Sequence, residues 1–419
     1  MTKSISKYSM GIGDRFGLEG SAQMRAFLAA KERGIEITPV WNKSNREHTL
    51  IGTKPEDVRK EANLAVASAG WTLPYCVDAD HIGLANVDKF LDAADFFTID
   101  VADYIGKAAT GDAIQRFLDD MKRYVGPLRL PGVAEPVNVT ATLLEEIATK
   151  YLFAIEEAGR VYRHILEKKA TSPFVTEVSF DEANSPQTPA ELLFILAGLA
   201  RENIPVMTVA PKFSGEFLKG INYVGNVAQF TKEFEADLAV LEFAKSEFSL
   251  PSGLKLSIHS GSDKFSLYPI MHRAIKALDV GIHLKTAGTT WLEEVVGLAS
   301  VGGTALEFVK ALYREAYARY DEMAKPYLLV IQIDRTKLPT PDEVDRYDAD
   351  HFANTLRHVQ TCPLFDVNFR QLIHISFKIA AEKSDTYRKL LLEHRVAVER
   401  CVTENILKRH IEPLFLGTH

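Results

Sequence analysis

The chain has 419 residues, enough for one elaborated domain or two ordinary ones, and its 46% hydrophobic and 25% charged residues exclude a disordered or low-complexity polymer. A net charge of −7 without a basic run gives no electrostatic case for nucleic acid as a partner, although a local Lys/Arg pocket can still take an anion. No apolar run of roughly eighteen residues and no signal-type segment after Met1-Thr2-Lys3-Ser4 argue against a membrane, and three scattered cysteines without CxxC spacing fit a reducing, cytoplasmic home.

In chain order, short apolar runs read as strands at about 8–13, 35–40, 73–77, 96–100, 174–180, 206–209, 254–259 and 281–286. The second is the weakest, because Pro39 removes a backbone donor. Helical patterns lie between most pairs. One, over 21–33, stops at Gly34, and Thr188-Pro189-Ala190-Glu191 starts another with a capping box ahead of the apolar stretch 192–199. Eight strands alternating with helices predict an α/β fold, a (β/α)8 TIM-type barrel, with a doubly wound sheet as runner-up. No GxGxxG follows any strand, which disfavours that runner-up and a bound nicotinamide.

Two stretches exceed a minimal barrel. Residues 104–172, broken by Pro127, Pro131 and Pro136, predict a helical insertion after the fourth strand. Beyond the eighth strand, a long helix over about 291–323 and a strand-like run over 327–333 precede further helices. The expected division is a catalytic barrel over 1–330 and a C-terminal helical extension over 331–419 packed on it.

Several strands end abruptly in reactive residues, where such barrels place their chemistry. His81, His259 and His283 all sit at strand ends and are the candidate ligands of one divalent metal ion, with His48, His351 and His374 in reserve. Asp80 beside a cation is expected to stay ionised as a base. Glu177, near apolar Phe174 and Val175, is expected to have a raised pKa and donate a proton, unless it is salt-bridged to Lys212 or Lys285. Asp78 and Asp181 are read as supporting groups or helix caps. Arg15, Lys212, Lys264 and Lys285 cluster at strand ends as a site for an anionic substrate. There is no phosphate-binding GxxxxGK[ST] loop, no GxSxG elbow and no Cys–His pair to support covalent catalysis.

Four segments carry a resemblance: Gly11-Ile12-Gly13-Asp14-Arg15-Phe16-Gly17, Lys212-Phe213-Ser214-Gly215-Glu216-Phe217, residues 259–266 from His259 to Ser266, and residues 283–291 from His283 to Trp291. They are similar to the tagaturonate epimerase family, over most of the chain. The resemblance implies an isomerase of hexuronate catabolism that interconverts D-tagaturonate and D-fructuronate, or the neutral ketoses tagatose and fructose. It implies a divalent metal (Mn, Ni, Co or Zn) on His81, His259 and His283, Asp80 as proton acceptor, and Glu177 or Glu216 as donor. It adds Asp14 and Ser260 to Arg15, Lys212, Lys264 and Lys285 as substrate contacts. The only partner expected is the small sugar or sugar acid, with homo-oligomerisation left open. The inverted carbon is β to the ketone, so simple enolisation cannot invert it, and retro-aldol cleavage followed by re-addition is the expected route. A metal-dependent sugar-acid aldolase uses the same residues and is the alternative. A non-catalytic sugar-binding protein is a third reading.

Overall fold

The computed structural model describes every residue except Met1, Pro131, Gly132, Ala134, Glu135, Ala287 and His419. Three positions used above, Met1 at the start, Pro131 in the insertion and Ala287 in the last motif, therefore lie outside the described residues. Eight parallel strands close on themselves: β1 (Tyr8–Ile12), β2 (Ile37–Ser44), β3 (Cys76–Ile82), β4 (Phe96–Asp100), β5 (Val175–Ser179), β6 (Thr208–Ala210), β7 (Lys255–His259) and β8 (Ile282–Lys285). The seam is β8 on β1, with Tyr8 opposite Ile282, and no sheet edge is left exposed within the barrel.

The predicted strands all form, and β4 has the expected bounds. Two differ at their upper ends. β2 runs on to Ser44 and β3 to Ile82, past the first polar residue, because those residues pair across the mouth: Asn42 Nδ2 donates to Asp78 Oδ2 at 2.6 Å. Pro39 is tolerated because pairing with β3 begins one residue later, at Val40. Inside the barrel the inward positions change character along the axis. Val40, Cys76, Phe96 and Val175 form a small apolar floor. Asn42, Asp78, Thr98, Glu177 and Thr208 are hydrogen-bonded above it, and Asp80, Asp100, His259 and Lys285 reach the mouth. The larger apolar core lies outside, between strands and helices. Thr188 caps helix Pro189–Arg201 as expected, a contribution of about 1 kcal/mol.

The stretch between β4 and β5 is not wholly helical. Helix Gly111–Met121 is followed by an antiparallel ribbon of Gly126–Leu128 and Val137–Val139, then by the long helix Ala141–Lys169. Pro127 sits in that ribbon opposite Asn138, where a missing donor is tolerated. Past β8, the single helix expected over 291–323 is three: Thr289–Val301, Gly303–Ala318 and Tyr320–Ala324. Gly302 (φ 73°) and Gly303 (φ 56°) adopt the left-handed region and break the first from the second. Residues 328–334 form a turn and an extended loop instead of a strand. Helix Val367–Ile375 then packs against the barrel mouth, with Trp291 Nε1 donating to Ile373 O at 2.8 Å. Among the described residues no helix is long and apolar enough to cross a membrane, and all three cysteines are unpaired.

Candidate active site

At the carboxyl ends of the strands, Lys285 forms the centre of a buried charge cluster. Its ammonium lies 2.6 Å from Asp80 Oδ1, 2.9 Å from Asp78 Oδ2 and 3.4 Å from Glu177 Oε1, and it donates to Thr98 Oγ1 at 2.7 Å. Gly11 makes room for its stem: a Cβ there would lie 2.8 Å from Lys285 Cγ and crowd Asn42. Burial opposes the charge on Lys285, but Asp78 and Asp80 outweigh it and hold its pKa well above the lysine range. The three carboxyls respond differently. Burial raises Asp78 to about 6, Lys285 counteracting only in part. For Asp80 burial also raises, yet Lys285 and then His81 bring it down to about 2.

Glu177 does not show the raised pKa expected of it. Burial would raise its pKa, but Lys285 and His259 overcome that and hold it well below the carboxylate range. Phe174, the apolar neighbour in sequence, packs on the opposite face of the strand against Phe97 and Tyr162 and leaves the carboxylate in polar company. The alternative salt bridge to Lys285 is the arrangement found.

Beside this cluster lie His81, Asp181 and His259, whose ligand atoms all come within 4.8 Å of one another. Each is oriented by a second group. His81 Nδ1 meets Asp100 Oδ2 at 2.8 Å, which leaves Nε2 free. His259 Nε2 meets Glu177 Oε1 at 2.8 Å, which leaves Nδ1 free. Asp181 accepts from Ser179 Oγ. His259 Nδ1 lies 3.0 Å from Asp181 Oδ2 yet has no hydrogen-bond partner. That separation matches neighbouring ligands around an ion bound at about 2.1 Å, and the carboxylate behind each imidazole is the usual support for a metal ligand. The donor set therefore fits a divalent cation. Without one, burial lowers the two imidazoles, but Asp80 raises His81 to about 10 and Asp181 raises His259 to about 9. His81 takes a left-handed φ of 53° where the β3–β4 register shifts, so an irregular strand end aims its ring inward.

His283 stands apart from this group. It precedes Lys285 by two residues on the same inward face, with Nδ1 on Ser9 Oγ at 2.9 Å and its ring 5.3 Å from Phe96; burial pushes it down to about 3. Asp181, read from sequence as a supporting group, occupies the third position next to His81 and His259. Two carboxylates, Asp100 and Glu182, offer a second set with His81.

The expected substrate contacts divide sharply. Lys264 Nζ is buried and consumed by Leu218 O and Ile221 O, at 3.0 and 2.9 Å, and burial pushes it down to about 7. Lys212 Nζ donates to Ala183 O at 2.6 Å. Ser260 Oγ donates to Lys285 O at 2.7 Å, and Asp14 accepts from the backbone of Phe16, Gly17 and Glu19. Arg15 pairs with Glu47 at 3.0 Å through Nε alone. Glu216 is exposed and bridges Val224 through its backbone. Of the reserve histidines, His48 bonds Thr53 Oγ1, His351 stacks on Tyr347, and His374 is buried at the mouth. Lys219, Arg370 and Gln371 escaped the sequence reading because they come from a loop and a distant helix with no periodic signal of their own.

A family model described as UxaE, tagaturonate epimerase, matches residues 1–414. The chain is 29% identical over 422 residues to a tagaturonate/fructuronate epimerase of Thermotoga maritima, covering 97% of this chain and 80% of that protein. Crystal structures of a fructuronate-tagaturonate epimerase, UxaE, from Cohnella laeviribosi share the fold at 24% identity. A one-glycerol complex superposes with a TM-score of 0.79 over 97% of this chain and 81% of that one, and a two-glycerol complex with 0.81 over 99% and 83%.

Proposed function

The chain belongs to the tagaturonate epimerase family and is an epimerase, and from that premise we propose that it interconverts D-tagaturonate and D-fructuronate in the cytoplasm. The observation that carries this reading is the junction of two groups at the mouth: the Lys285 cluster with Asp80, and the His81–Asp181–His259 set beside it. Inversion β to a ketone lies beyond simple enolisation, and breaking and re-forming the adjacent carbon–carbon bond achieves it without a redox cofactor. Asp80, ionised down to about pH 2, takes the proton from the hydroxyl on the inverting carbon. That hydroxyl oxygen becomes an aldehyde carbonyl as the bond to the neighbouring carbon breaks, and the bonding pair passes into an enediolate on the ketone fragment. The aldehyde turns, the pair attacks its other face, and Asp80 returns the proton, so no atom is gained or lost.

His81, Asp181 and His259 are the residues that would hold a divalent ion. Bound there, such an ion supplies Lewis-acid stabilisation to the oxygens of the substrate. Glu177 orients His259 by accepting from Nε2, a role that its ionised state suits better than proton donation. Lys285 holds Asp80 and Glu177 in place and keeps positive charge near the developing enediolate.

The test is conversion of D-tagaturonate by protein stripped with a chelator and reloaded with Mn, Ni, Co or Zn in turn, with products separated by chromatography. Fructuronate should appear only in a reloaded sample. Undiminished turnover after stripping removes the metal from the mechanism, and stoichiometric release of a trapped aldehyde makes the protein an aldolase.

A further inference from the structure

A second group of unsatisfied donors lines the same mouth. Arg15, with its side chain 8% exposed, lies over the Phe377 ring at 4.1 Å, and its Nη1 has no partner. His374 is 1% exposed and neither ring nitrogen is bonded. Lys219 is fixed through its backbone, its N–H donating to Val330 O at 2.8 Å and its carbonyl accepting from Gln371 Nε2 at 3.0 Å. Its Nζ makes no hydrogen bond or ion pair among the described residues.

Glycines draw these groups together. A Cβ on Gly261 would lie 3.8 Å from Lys219 Nζ, and one on Gly288 would lie 2.7 Å both from His374 Cε1 and from Gly261 O. Gly261 is two residues past His259, so the donors adjoin the candidate catalytic group. The charges that face Lys219 are Arg46, Arg15, Glu47 and Glu182. Glu47 is taken up by Arg15 Nε and Glu182 is exposed. Arg15 Nη1 and the His374 ring are withdrawn from water without acceptors, which is costly, while the half-buried Lys219 adds an unpaired ammonium beside them; an anionic acceptor relieves that cost.

The geometry points to Arg15, Lys219 and His374 as the subsite that receives the carboxylate of a sugar acid, with Lys219 as the main determinant of acid over neutral sugar. This inference rests on the epimerase reading above. Electrostatics agree. Burial, then Arg46, pushes the Lys219 pKa down, and burial, then Arg15, keeps His374 neutral, as expected of an electropositive pocket. It also relieves Lys212, Lys264 and Lys285 of the role, since each of those ammoniums already has acceptors.

The experiment measures binding of D-gluconate, an unreactive sugar acid, and of neutral D-glucitol by calorimetry, alongside the steady-state kinetics of D-tagaturonate. Lys219→Met should weaken gluconate about 10- to 100-fold, the worth of a charge-assisted bond, and raise KM for tagaturonate by a similar factor with a smaller change in kcat. Lys219→Arg should restore most of the gluconate affinity, and it carries the test if the methionine variant does not fold. Wild-type protein that binds gluconate no better than glucitol overturns the subsite. So does Lys219→Met with unchanged gluconate affinity, or with equal losses on gluconate and glucitol. If the wild-type protein fails to epimerise tagaturonate, the functional reading falls while the gluconate measurements still decide the subsite.

Discussion

Replacing Lys285 by methionine keeps the stem that crosses Gly11 and removes the ammonium shared by Asp78, Asp80 and Glu177. Lysine and carboxylates are nearly all withdrawn from water here, with side-chain exposures of 6% for Lys285 against 0%, 16% and 0%. Deleting one member of a buried ion pair costs about 3–5 kcal/mol, which is the range expected for Lys285→Met near neutral pH, since Asp78 loses its cation while His81 and His259 still face Asp80 and Glu177. Unfolding entropy of about 2.1 cal/mol/K per residue over 419 residues makes this a fall in Tm of roughly 3–6 °C. The sign with pH follows from the same contacts. Without the ammonium, Asp78 loses the cation that offsets its burial and rises further above its unfolded value, while His81 and His259 still oppose burial at Asp80 and Glu177, so the stability Asp78 supplies as an acid is present below about pH 4 and lost as pH rises. Thermal unfolding of both proteins with chelator, at pH 5 and pH 8, should therefore show a larger deficit at pH 8. A variant as stable as the wild type, or a deficit equal at both pH values, refutes the claim that Lys285 neutralises this cluster.

Metal content separates the histidines: His81→Ala and His259→Ala should lose stoichiometric metal by elemental analysis, while His283→Ala, whose ring bonds Ser9, should keep it. Metal retained by His259→Ala or lost from His283→Ala refutes the ligand set. Away from the mouth, burial, then Asp14 and Glu399, pushes Glu19 up to about 8. Its contribution to stability is complete below about pH 4.5 and disappears as pH rises through 8, so Glu19→Gln should gain on the wild type between pH 5 and 8 in denaturant titrations, by at most about 1.4 kcal/mol per pH unit. A gain that does not grow with pH would show that Glu19 is charged when folded.

Much of the barrel is legible because buried parallel strands are apolar runs with sharp ends, as in 96–100 and 254–259. The rule fails where the barrel interior turns polar. Asn42, Asp78 and Asp80 lie inside strands, but a run that stops at the first polar residue ends β2 and β3 too early. The clustering of the candidate site residues is legible, and their ionisation is not. His81, His259, Asp80, Glu177 and Lys285 do meet at the mouth. Their ionisation depends on partners from other strands, which no local pattern reports: Glu177 reads as an acid beside Phe174 and is a carboxylate beside Lys285. The motif around Asp263 and Lys264 looks like substrate chemistry, yet Asp263 accepts from Arg370, His358 and Thr289. Those contacts tie the β7 loop to the C-terminal helices, and only the assembled fold reveals them.

The seam between β1 and β8 has a consequence for how the protein is made. Ser9 and His283 meet across 274 positions, and Thr403 reaches back 381 positions to the first helix at Ala22. A nascent chain emerging at about 5–20 residues per second therefore carries β1 with one side unpaired for tens of seconds before its second neighbour exists. An open strand edge is a template for wrong pairing, and contacts this remote in sequence slow the final closure. The expected outcome is that low temperature, slow translation or a holdase chaperone favours the native chain, and that concentrated refolding from denaturant favours aggregate.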